Sequence, residues 1–438
     1  MDFGCRNRHF DKLIRNDYTL NTAMRKILAV LFGTIISCNC LSQTFHTKSL
    51  SANIKTVQSY ILGNPLSFPI IDLNGSEQIL ISFDELSYET KNFYYSIIHC
   101  NTDWTKSDLA EIEYLDGFSN GVIDDAYQSL NTTVLYTNYR LKIPNDELRF
   151  KCSGNYAVVI YEDGNRDEVK AMACFSVVEP LLSIDANVKG NTDIEINKRY
   201  QQLDFSIEHT GVRIQDPFSD FKIVVKQNNR DDNKVSNIKP TYTSTFKQTY
   251  CNNSALIFEG GNEYRSIDFS SEYTYGNGIE RIVFDHTYQH VILSNDKQRN
   301  DVTYLFNEDV NGKYIVHRQF SDEVDYEADY MWVHFSLCVE KPFFAGSIFI
   351  SGDFVGNELK AQTRMDYNAE NNCYEKALLV KQGGINYQYL YVPKNDSIGK
   401  LEPIEGSFWQ TKNEYQIFVY YRPRGERYDR LIGWKNVQ

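Results

Sequence analysis

The sequence has few of the residues on which fibrous, disordered or membrane-spanning chains depend. Its 438 residues include only 10 Pro, 24 Gly and 5 Met, too few for a collagen-like or Pro/Gly-rich disordered chain. A membrane-spanning helix needs about 20 consecutive apolar residues, and no run in the chain reaches that length. The sequence therefore predicts a globular protein without a membrane span.

An excess of positive charge is also missing. The chain has 45 Lys and Arg against 58 Asp and Glu, and its formal net charge is −13. A chain this acidic lacks the positive field that attracts phosphate backbones, and its charge disfavours adsorption to anionic lipid. We therefore expect no nucleic-acid partner.

The motifs of common catalytic and phosphate-binding sites do not occur. The chain lacks the Gly-x-Ser-x-Gly, Gly-x-x-x-x-Gly-Lys, Cys-x-x-Cys and Asp-x-Asp-x-Asp-Gly patterns. Asp285, His286 and His290 would suit a metal site on a helix, but their neighbours indicate strands, where this spacing does not give the helix-face geometry. We predict no catalytic residue, no cofactor, no metal site and a protein that is not an enzyme.

Residues 1–42 have the order of a targeting segment. Two basic residues after Met24 precede a short apolar run at 27–36, as in a secretory signal. The preceding residues suit such a signal poorly, so we expect translation to start at Met24. Export into the periplasm follows, with cleavage after Ser42 favoured and lipidation of Cys38 as the open alternative.

The cysteines beyond this segment are widely spaced and match no zinc pattern. Most lie in apolar, strand-like surroundings and are interpreted as small buried residues. An oxidising compartment would allow disulfides, and Cys152 with Cys174 is the pair to test because the two flank one predicted hairpin. The six are Cys100, Cys152, Cys174, Cys251, Cys338 and Cys373.

Aromatic residues are abundant, with 31 Tyr, 26 Phe and 4 Trp, and such side chains suit half-buried pleated surfaces. Strand-like alternation recurs, for example at 78–83 and 156–161, and turn sequences separate these runs. We predict an all-β fold of three consecutive immunoglobulin-like or early-set β-sandwich domains. Their ranges are 43–180, 181–328 and 329–438.

An ordered series of short motifs carries a family resemblance. In the first domain they are Cys-Asn-Thr-Asp-Trp-Thr-Lys-Ser at 100–107, Glu-Tyr-Leu-Asp-Gly-Phe at 113–118 and Ser-Gly-Asn-Tyr at 153–156. Gly-Gly-Asn-Glu-Tyr-Arg-Ser-Ile-Asp at 260–268 and Arg-Tyr-Asp-Arg-Leu-Ile-Gly at 427–433 follow. Together they resemble the type IX secretion plug family of Bacteroidetes-type bacteria.

The resemblance implies a non-catalytic role in protein transport. Members sit at the periplasmic mouth of a very large outer-membrane β-barrel, the translocon, and block it when no cargo is passing. The implied location is the periplasm, in association with the outer membrane, and the implied partner is that barrel.

Two charged segments are the candidates for contact with the partner. Four arginines near the C-terminus stand out as a basic cluster in an acidic chain: Arg422, Arg424, Arg427 and Arg430. They either bind acidic groups of a partner through forked hydrogen bonds or pair internally, Arg430 with Asp429. The polar part of the 260–268 segment is either an interdomain bracket or a docking loop. The candidates are Asn262, Glu263, Arg265, Arg422, Arg427, Asp429 and Arg430.

The third domain offers an alternative function. Phe-Ile-Ser-Gly-Asp-Phe at 349–354 and the alternating aromatics at 387–389 resemble the early-set sandwich of glycogen-binding modules, although the Trp that follows the turn in those modules is missing. The alternative is a periplasmic or surface carbohydrate-binding protein in which aromatics such as Tyr387 stack on sugars. A third hypothesis is a chaperone for exported cargo.

Overall fold

Strands dominate the computed structural model, which describes residues 44–274 and 276–438. These residues form 31 strands, three α-helices of four residues each and two short 3-10 helices. The prediction of an all-β fold with several sandwiches is confirmed. Within the described ranges, helices fall short of what a bilayer crossing requires. The predicted targeting segment 1–42, with Met24, Cys38 and Ser42, lies outside them.

The first unit is a sandwich of two sheets. Its elements are β1 (Lys48–Ser49), β2 (Ile54–Ile61), β3 (Ile70–Asp72), β4 (Ile79–Glu85), β5 (Phe93–Cys100), α1 (Glu111–Tyr114), β6 (Leu115–Gly117), β7 (Asn120–Ile123), β8 (Asp125–Gln128), β9 (Thr137–Ile143), β10 (Leu148–Phe150), β11 (Gly154–Glu162) and β12 (Val169–Val178). One sheet has the order β1–β12–β11–β5–β7, with β3 parallel to β12, and the other has the order β2–β4–β9–β8. Strands β6 and β10 form a separate ribbon.

Alternation along the strands places the first core between these two sheets. On β5, Phe93, Tyr95 and Ile97 belong to this core, whereas Cys100 and Ile98 pack on the opposite face. Strands β11 and β12 are buried along nearly their whole length. This is because the outer face of their sheet is also covered, in part by the second unit.

The second unit is a sandwich whose strands come from two distant parts of the chain. They are β13 (Ser183–Lys189), β14 (Tyr200–Glu208), β15 (Phe221–Gln227), β16 (Val235–Ser236), β17 (Tyr242–Thr243), β18 (Lys247–Tyr250), β19 (Ile257–Glu259), β30 (Tyr415–Tyr421) and β31 (Arg430–Val437), with a 3-10 turn at Ser254–Leu256. The sheets have the orders β13–β14–β18–β17, with β19 also on β14, and β16–β15–β30–β31.

The third unit supplies the remaining strands. They are β20 (Arg265–Asp268), β21 (Ile279–Phe284), β22 (Gln289–Leu293), β23 (Asp296–Lys297), β24 (Tyr314–Val316), β25 (Tyr330–Cys338), β26 (Gly346–Ser351), β27 (Asp366–Asn368), β28 (Cys373–Lys381) and β29 (Gly383–Pro393), with α2 (Val324–Glu327), α3 (Glu402–Glu405) and a 3-10 turn at Asp353–Val355. One sheet has the order β21–β22–β25–β28–β27, and in the other β20, β24 and β26 pair with β29.

The cores divide the chain differently from three consecutive domains. Strand β15 pairs with β30 along its whole length, so the end of the chain completes the second core. Strands β20 to β24 pair within the third core. The third unit is therefore inserted into the second, and the predicted border between 328 and 329 is corrected. Pairing between distant strands leaves no local pattern, so the sequence could not reveal it.

The junction between the first and second units is mainly apolar. Ile70 and Val178 of the first unit pack with Val224, Tyr420 and Leu431 of the second, and all five are buried. Burial of apolar surface therefore contributes to holding these two units together.

The junction between the first and third units contains a buried ion pair. Lys381 Nζ lies 2.7 Å from Asp84 Oδ2, and both side chains are almost fully buried. The Tyr330 hydroxyl donates to the same oxygen at 2.6 Å, and Asn138 donates to Asp84 Oδ1 at 2.8 Å. Burial raises the pKa of Asp84 by more than Lys381 and the two donors lower it.

One disulfide occurs in the part of the chain that the structure describes. It joins Cys338 to Cys373, which are directly opposite on β25 and β28. Cys152 and Cys174, the pair proposed from the sequence, are both free. Cys152 packs against the first core, whereas Cys174 lies on the other face of the same sheet, so the two thiols cannot meet.

Candidate partner-binding surface

The segment at 260–268 begins inside the molecule, where the second and third units meet. A Cβ on Gly260 would lie 2.1 Å from the Phe408 carbonyl oxygen, so only glycine permits this close approach. Asn262 is 7% exposed, and its Nδ2 donates to the Glu405 carbonyl oxygen at 2.9 Å. The predicted contact residue Asn262 is therefore an interior residue.

Arg265 belongs to a buried charge network. Its guanidinium donates to both carboxylate oxygens of Glu405, at 3.2 and 3.0 Å, and to Asp296 Oδ1 at 2.7 Å. Arg299 Nη2 lies 2.6 Å from Glu405 Oε2. Burial alone would raise the pKa of Glu405, but the two guanidinium groups lower it below its usual value. The network thus joins β20, β23 and α3.

Glu263 anchors the long connection at 298–313, which runs from β23 to β24 without helix or strand. Its carboxylate accepts hydrogen bonds from the Tyr304 hydroxyl and from the Lys412 backbone N–H. Its carbonyl oxygen accepts a hydrogen bond from Arg299 at 2.9 Å. Glu263 is thus a buried residue whose hydrogen bonds hold this connection in place.

The far end of the connection is held in the same way. The Asp309 carboxylate accepts the backbone N–H of Tyr264, and the Val310 N–H donates to Asn386 Oδ1 at 2.6 Å. Burial raises the pKa of Asp309 to about 6. Of the two alternatives for the 260–268 segment, this geometry is that of an internal bracket, and the bracket positions the 298–313 connection.

Asp429 is the centre of the C-terminal candidates. It is 1% exposed and accepts hydrogen bonds from Arg422 Nε at 2.7 Å and from the Thr102 backbone N–H at 3.0 Å. Lys222 Nζ lies 2.8 Å from its carboxylate. Burial opposes the charge of Asp429, but Lys222, Thr102 and Arg422 outweigh it and lower its pKa. The cluster joins the second unit to the first.

The other two arginines also have partners within the chain. Arg430 pairs with Glu179, so the suggested pair of Arg430 with Asp429 is replaced by two separate pairs. Arg427 is exposed and reaches the Glu113 carboxylate and the Asp108 carbonyl oxygen. Among the seven predicted contact residues, Arg427 is therefore the one on an open surface.

The aromatic residues proposed for sugar stacking lie in the core of the third unit. Tyr387 is 3% exposed, and its hydroxyl donates to Asp296 Oδ2 at 2.8 Å. Tyr389 is fully buried and donates to the same oxygen at 2.7 Å. Neither ring can stack on a sugar in this fold, so the resemblance to glycogen-binding modules is one of scaffold.

The histidine motif forms a chain of hydrogen bonds. His290 Nδ1 lies 2.8 Å from His334 Nε2, and its Nε2 lies 3.0 Å from Asp285 Oδ2. Both nitrogens of His290 are thus engaged by neighbours. Residues 44–274 and 276–438 contain no group of three or more His, Cys, Asp or Glu arranged to hold a metal ion.

Comparison with known proteins assigns the chain to a family. The profile of the type 9 secretion system plug protein 1st domain matches residues 54–179. The chain belongs to the type IX secretion plug family. A hypothetical protein from Parabacteroides merdae ATCC 43184, known from a crystal structure, is 44% identical over 90% of this chain and 99% of its own, with a TM-score of 0.88. A comparison with curated proteins finds no match.

The family assignment gives the chain a role connected with type IX secretion. Sequence patterns did not point to the residues that hold the signature segments in place. These residues are Glu405, Asp296, Arg299, Lys222 and Thr102. Each of these is far along the chain from the residue it contacts, and no local sequence pattern predicts such a pair. The sequence did contain one local signal of an exposed apolar site. Leu305 and Phe306 form an apolar pair within the otherwise mostly polar connection at 298–313.

Proposed function

We propose that this chain is the plug subunit of the type IX secretion machinery, a non-catalytic periplasmic protein that closes the periplasmic opening of the outer-membrane translocon barrel. The observation that carries the proposal is the family match over residues 54–179. The targeting segment predicted at 1–42 supports export of the protein to that compartment.

The packing of the three units supports the same role. A stopper for a wide pore must keep its shape, because a hinge between units would open a path around it. Here the first unit is fastened to the second by the buried cluster around Leu431 and to the third by the buried pair of Asp84 and Lys381. Closure then needs contact area and complementary shape, which do not depend on a reactive centre.

The charge of the chain supports a reversible contact with protein. Its net charge of −13 disfavours adsorption to the anionic surface of a membrane. Charged groups around an interface steer docking and set its register more than they add affinity. A plug that has to leave the pore whenever cargo passes would benefit from such steering.

An affinity purification from detergent-solubilised outer membranes tests the proposal. Tagged full-length chain is expected to recover one large outer-membrane barrel protein, and deletion of its gene is expected to increase entry of small hydrophilic molecules into the cell. If the barrel is not recovered and permeability stays at the wild-type level, the proposal fails.

A further inference from the structure

The connection at 298–313 is long, lacks regular structure and is nevertheless firmly attached. Connections longer than about 12–15 residues without helix or strand are uncommon in compact units and are usually functional. This one is fastened near its start by Arg299 and Tyr304, and near its end by Asp309 and Val310. The bracket at 260–268 provides most of these attachments.

Three of the side chains between the attachment points are apolar and face solvent. Leu305 is 80% exposed, and Phe306 and Val302 are each about half exposed. The Lys412 ammonium lies 4.8 Å from the centre of the Phe306 ring. A loop that buries its polar anchors and exposes its apolar residues is suited to contact another molecule.

Two further loops extend this exposed area. The Tyr304 hydroxyl lies 3.2 Å from the Gln410 carbonyl oxygen, which places residues 408–412 beside the connection. The Trp409 backbone N–H donates to the Lys198 carbonyl oxygen at 2.9 Å, which adds the turn between β13 and β14. Exposed apolar residues occur on all three loops. This three-loop surface comprises Ile194, Ile196, Val302, Leu305, Phe306 and Trp409.

The rim of the three-loop surface is polar and of mixed charge. Asp301 and Glu308 flank the apolar pair within the connection, and Lys198 and Lys412 lie on the neighbouring loops; all four are exposed. An apolar centre containing Trp and Phe with a rim of both charge signs is the usual anatomy of a protein–protein interface.

This arrangement favours a protein over a lipid bilayer as the occupant. Insertion of the connection into hydrocarbon would carry the Asp301 and Glu308 carboxylates with it, and burial of such charges without partners is costly. Interfacial membrane anchors instead carry mainly Lys and Arg around their apolar residues. The net charge of −13 also disfavours contact with an anionic membrane surface.

From these observations we infer that the three-loop surface is the face through which the chain docks on its translocon partner. The partner would present an apolar protein patch with a polar rim. The inference rests on the proposed function and assigns the contact to residues outside the predicted set. Because the loops are already held in place, docking would not have to order them, which lowers the entropic cost of binding.

The test compares two double variants in binding to the purified, detergent-solubilised barrel. Leu305→Ser with Phe306→Ser removes the centre of the three-loop surface and should weaken binding by at least about tenfold. Tyr242→Ser with Phe246→Ser is the control and removes two exposed aromatics. They lie near Lys247, which pairs with Glu208 at the C-terminal end of β14, whereas the three-loop surface includes the turn before the N-terminal end of that strand. This control should bind as the wild type does.

The possible results separate the inference from the proposed function. If the wild type does not bind the barrel, the proposed function fails. If it binds and the Leu305/Phe306 variant binds within twofold of it, the inference fails and the proposed function stands. Trp409→Ser provides a second, independent disruption in case the double variant does not give the wild-type circular dichroism spectrum.

Two controls address the other occupants. In the first, wild-type chain is mixed with vesicles of phosphatidylethanolamine and phosphatidylglycerol and tested for binding to them. In the second, the mass of the wild-type chain without vesicles is measured by light scattering. Vesicle binding that the Leu305/Phe306 variant loses would overturn the inference in favour of lipid. A dimer that the same variant dissociates would overturn it in favour of a second copy.

Discussion

The first unit packs against the second mainly through apolar side chains, beside which lies the buried Asp429 cluster, and against the third through a buried ion pair. At the first junction, Leu431 and Tyr420 are enclosed by the first unit's Ile70 and Val178. At the second, Asp84 and Lys381 meet among hydrogen-bonding groups. Apolar burial depends on area and tolerates small shifts, whereas a buried ion pair is favourable only with near-ideal geometry.

The difference indicates a division of labour between the two junctions. We expect the apolar junction to supply adhesion through its buried area and the ion pair to favour one orientation of the third unit against the first. A protein that acts by its shape needs both, and each half of this comparison can be tested separately.

The largest effect is expected for Lys381→Met. The substitution leaves the Asp84 carboxylate buried without its counter-ion and should lower the free energy of unfolding by about 3–5 kcal/mol. Urea unfolding of the full chain measures it. The double variant Lys381→Met with Asp84→Leu removes both charges and should regain most of the loss. If it is as unstable as the single variant, the ion pair does not account for the effect.

A somewhat smaller loss is expected for Leu431→Ala at the apolar junction. Leu431 is fully buried, and the cavity left behind should cost about 2–4 kcal/mol in the same unfolding experiment. Leu431→Met keeps the volume and should cost less than about 1.5 kcal/mol. Equal losses for the two variants would mean that packing is not what this residue contributes.

The two junctions should respond to pH in opposite directions. The folded-state pKa of Asp84 is raised above the usual 3.8, so ionisation of this group costs stability as the pH rises from 3.8 through the raised value. The folded-state pKa of Asp429 is lowered, so its contribution is present above 3.8 and is lost as the pH falls through the lowered value.

Unfolding free energies of Asp84→Asn and Asp429→Asn, measured against wild type from pH 3 to pH 8, check this prediction. The free energy of unfolding of Asp84→Asn should increase relative to that of wild type as the pH rises. The free energy of unfolding of Asp429→Asn should approach the wild-type value only in acid. Parallel curves for the two variants would contradict the opposite signs of the two pKa shifts.

The smallest effect is expected for Arg430→Ala. Arg430 pairs with Glu179 between the same two units as Leu431, but both side chains are about a quarter exposed. Water screens such a pair, so its loss should cost less than about 1 kcal/mol. A loss as large as that of Leu431→Ala would show that charge, and not apolar burial, dominates this junction.

Much of the fold followed from local pattern. Alternation such as that of Phe93, Tyr95 and Ile97 on β5 identifies a strand and its buried face, because side chains on a strand point to opposite sides in turn. The abundance of Tyr and Phe indicated the all-β class because such side chains suit half-buried pleated surfaces. The short motifs around residues 100–107 and 260–268 were sufficient to indicate the family.

The candidate site was less predictable. Charge singled out Arg265 and Asp429, but only the fold showed that both are interior residues with partners far away in the chain. A charged residue looks the same in sequence whether it faces water or a buried counter-ion. The proposed docking surface therefore consists of apolar residues such as Leu305, whose exposure likewise cannot be recognised from the sequence.

By itself, the sequence determined the strands, their buried faces and the family, because these depend on residues that are neighbours along the chain. Tertiary structure alone decided that β30 completes the second core, that Cys338 pairs with Cys373 and that Asp84 meets Lys381. Each of these contacts joins distant segments, and its free energy exists only after the intervening chain has folded and brought the two groups together.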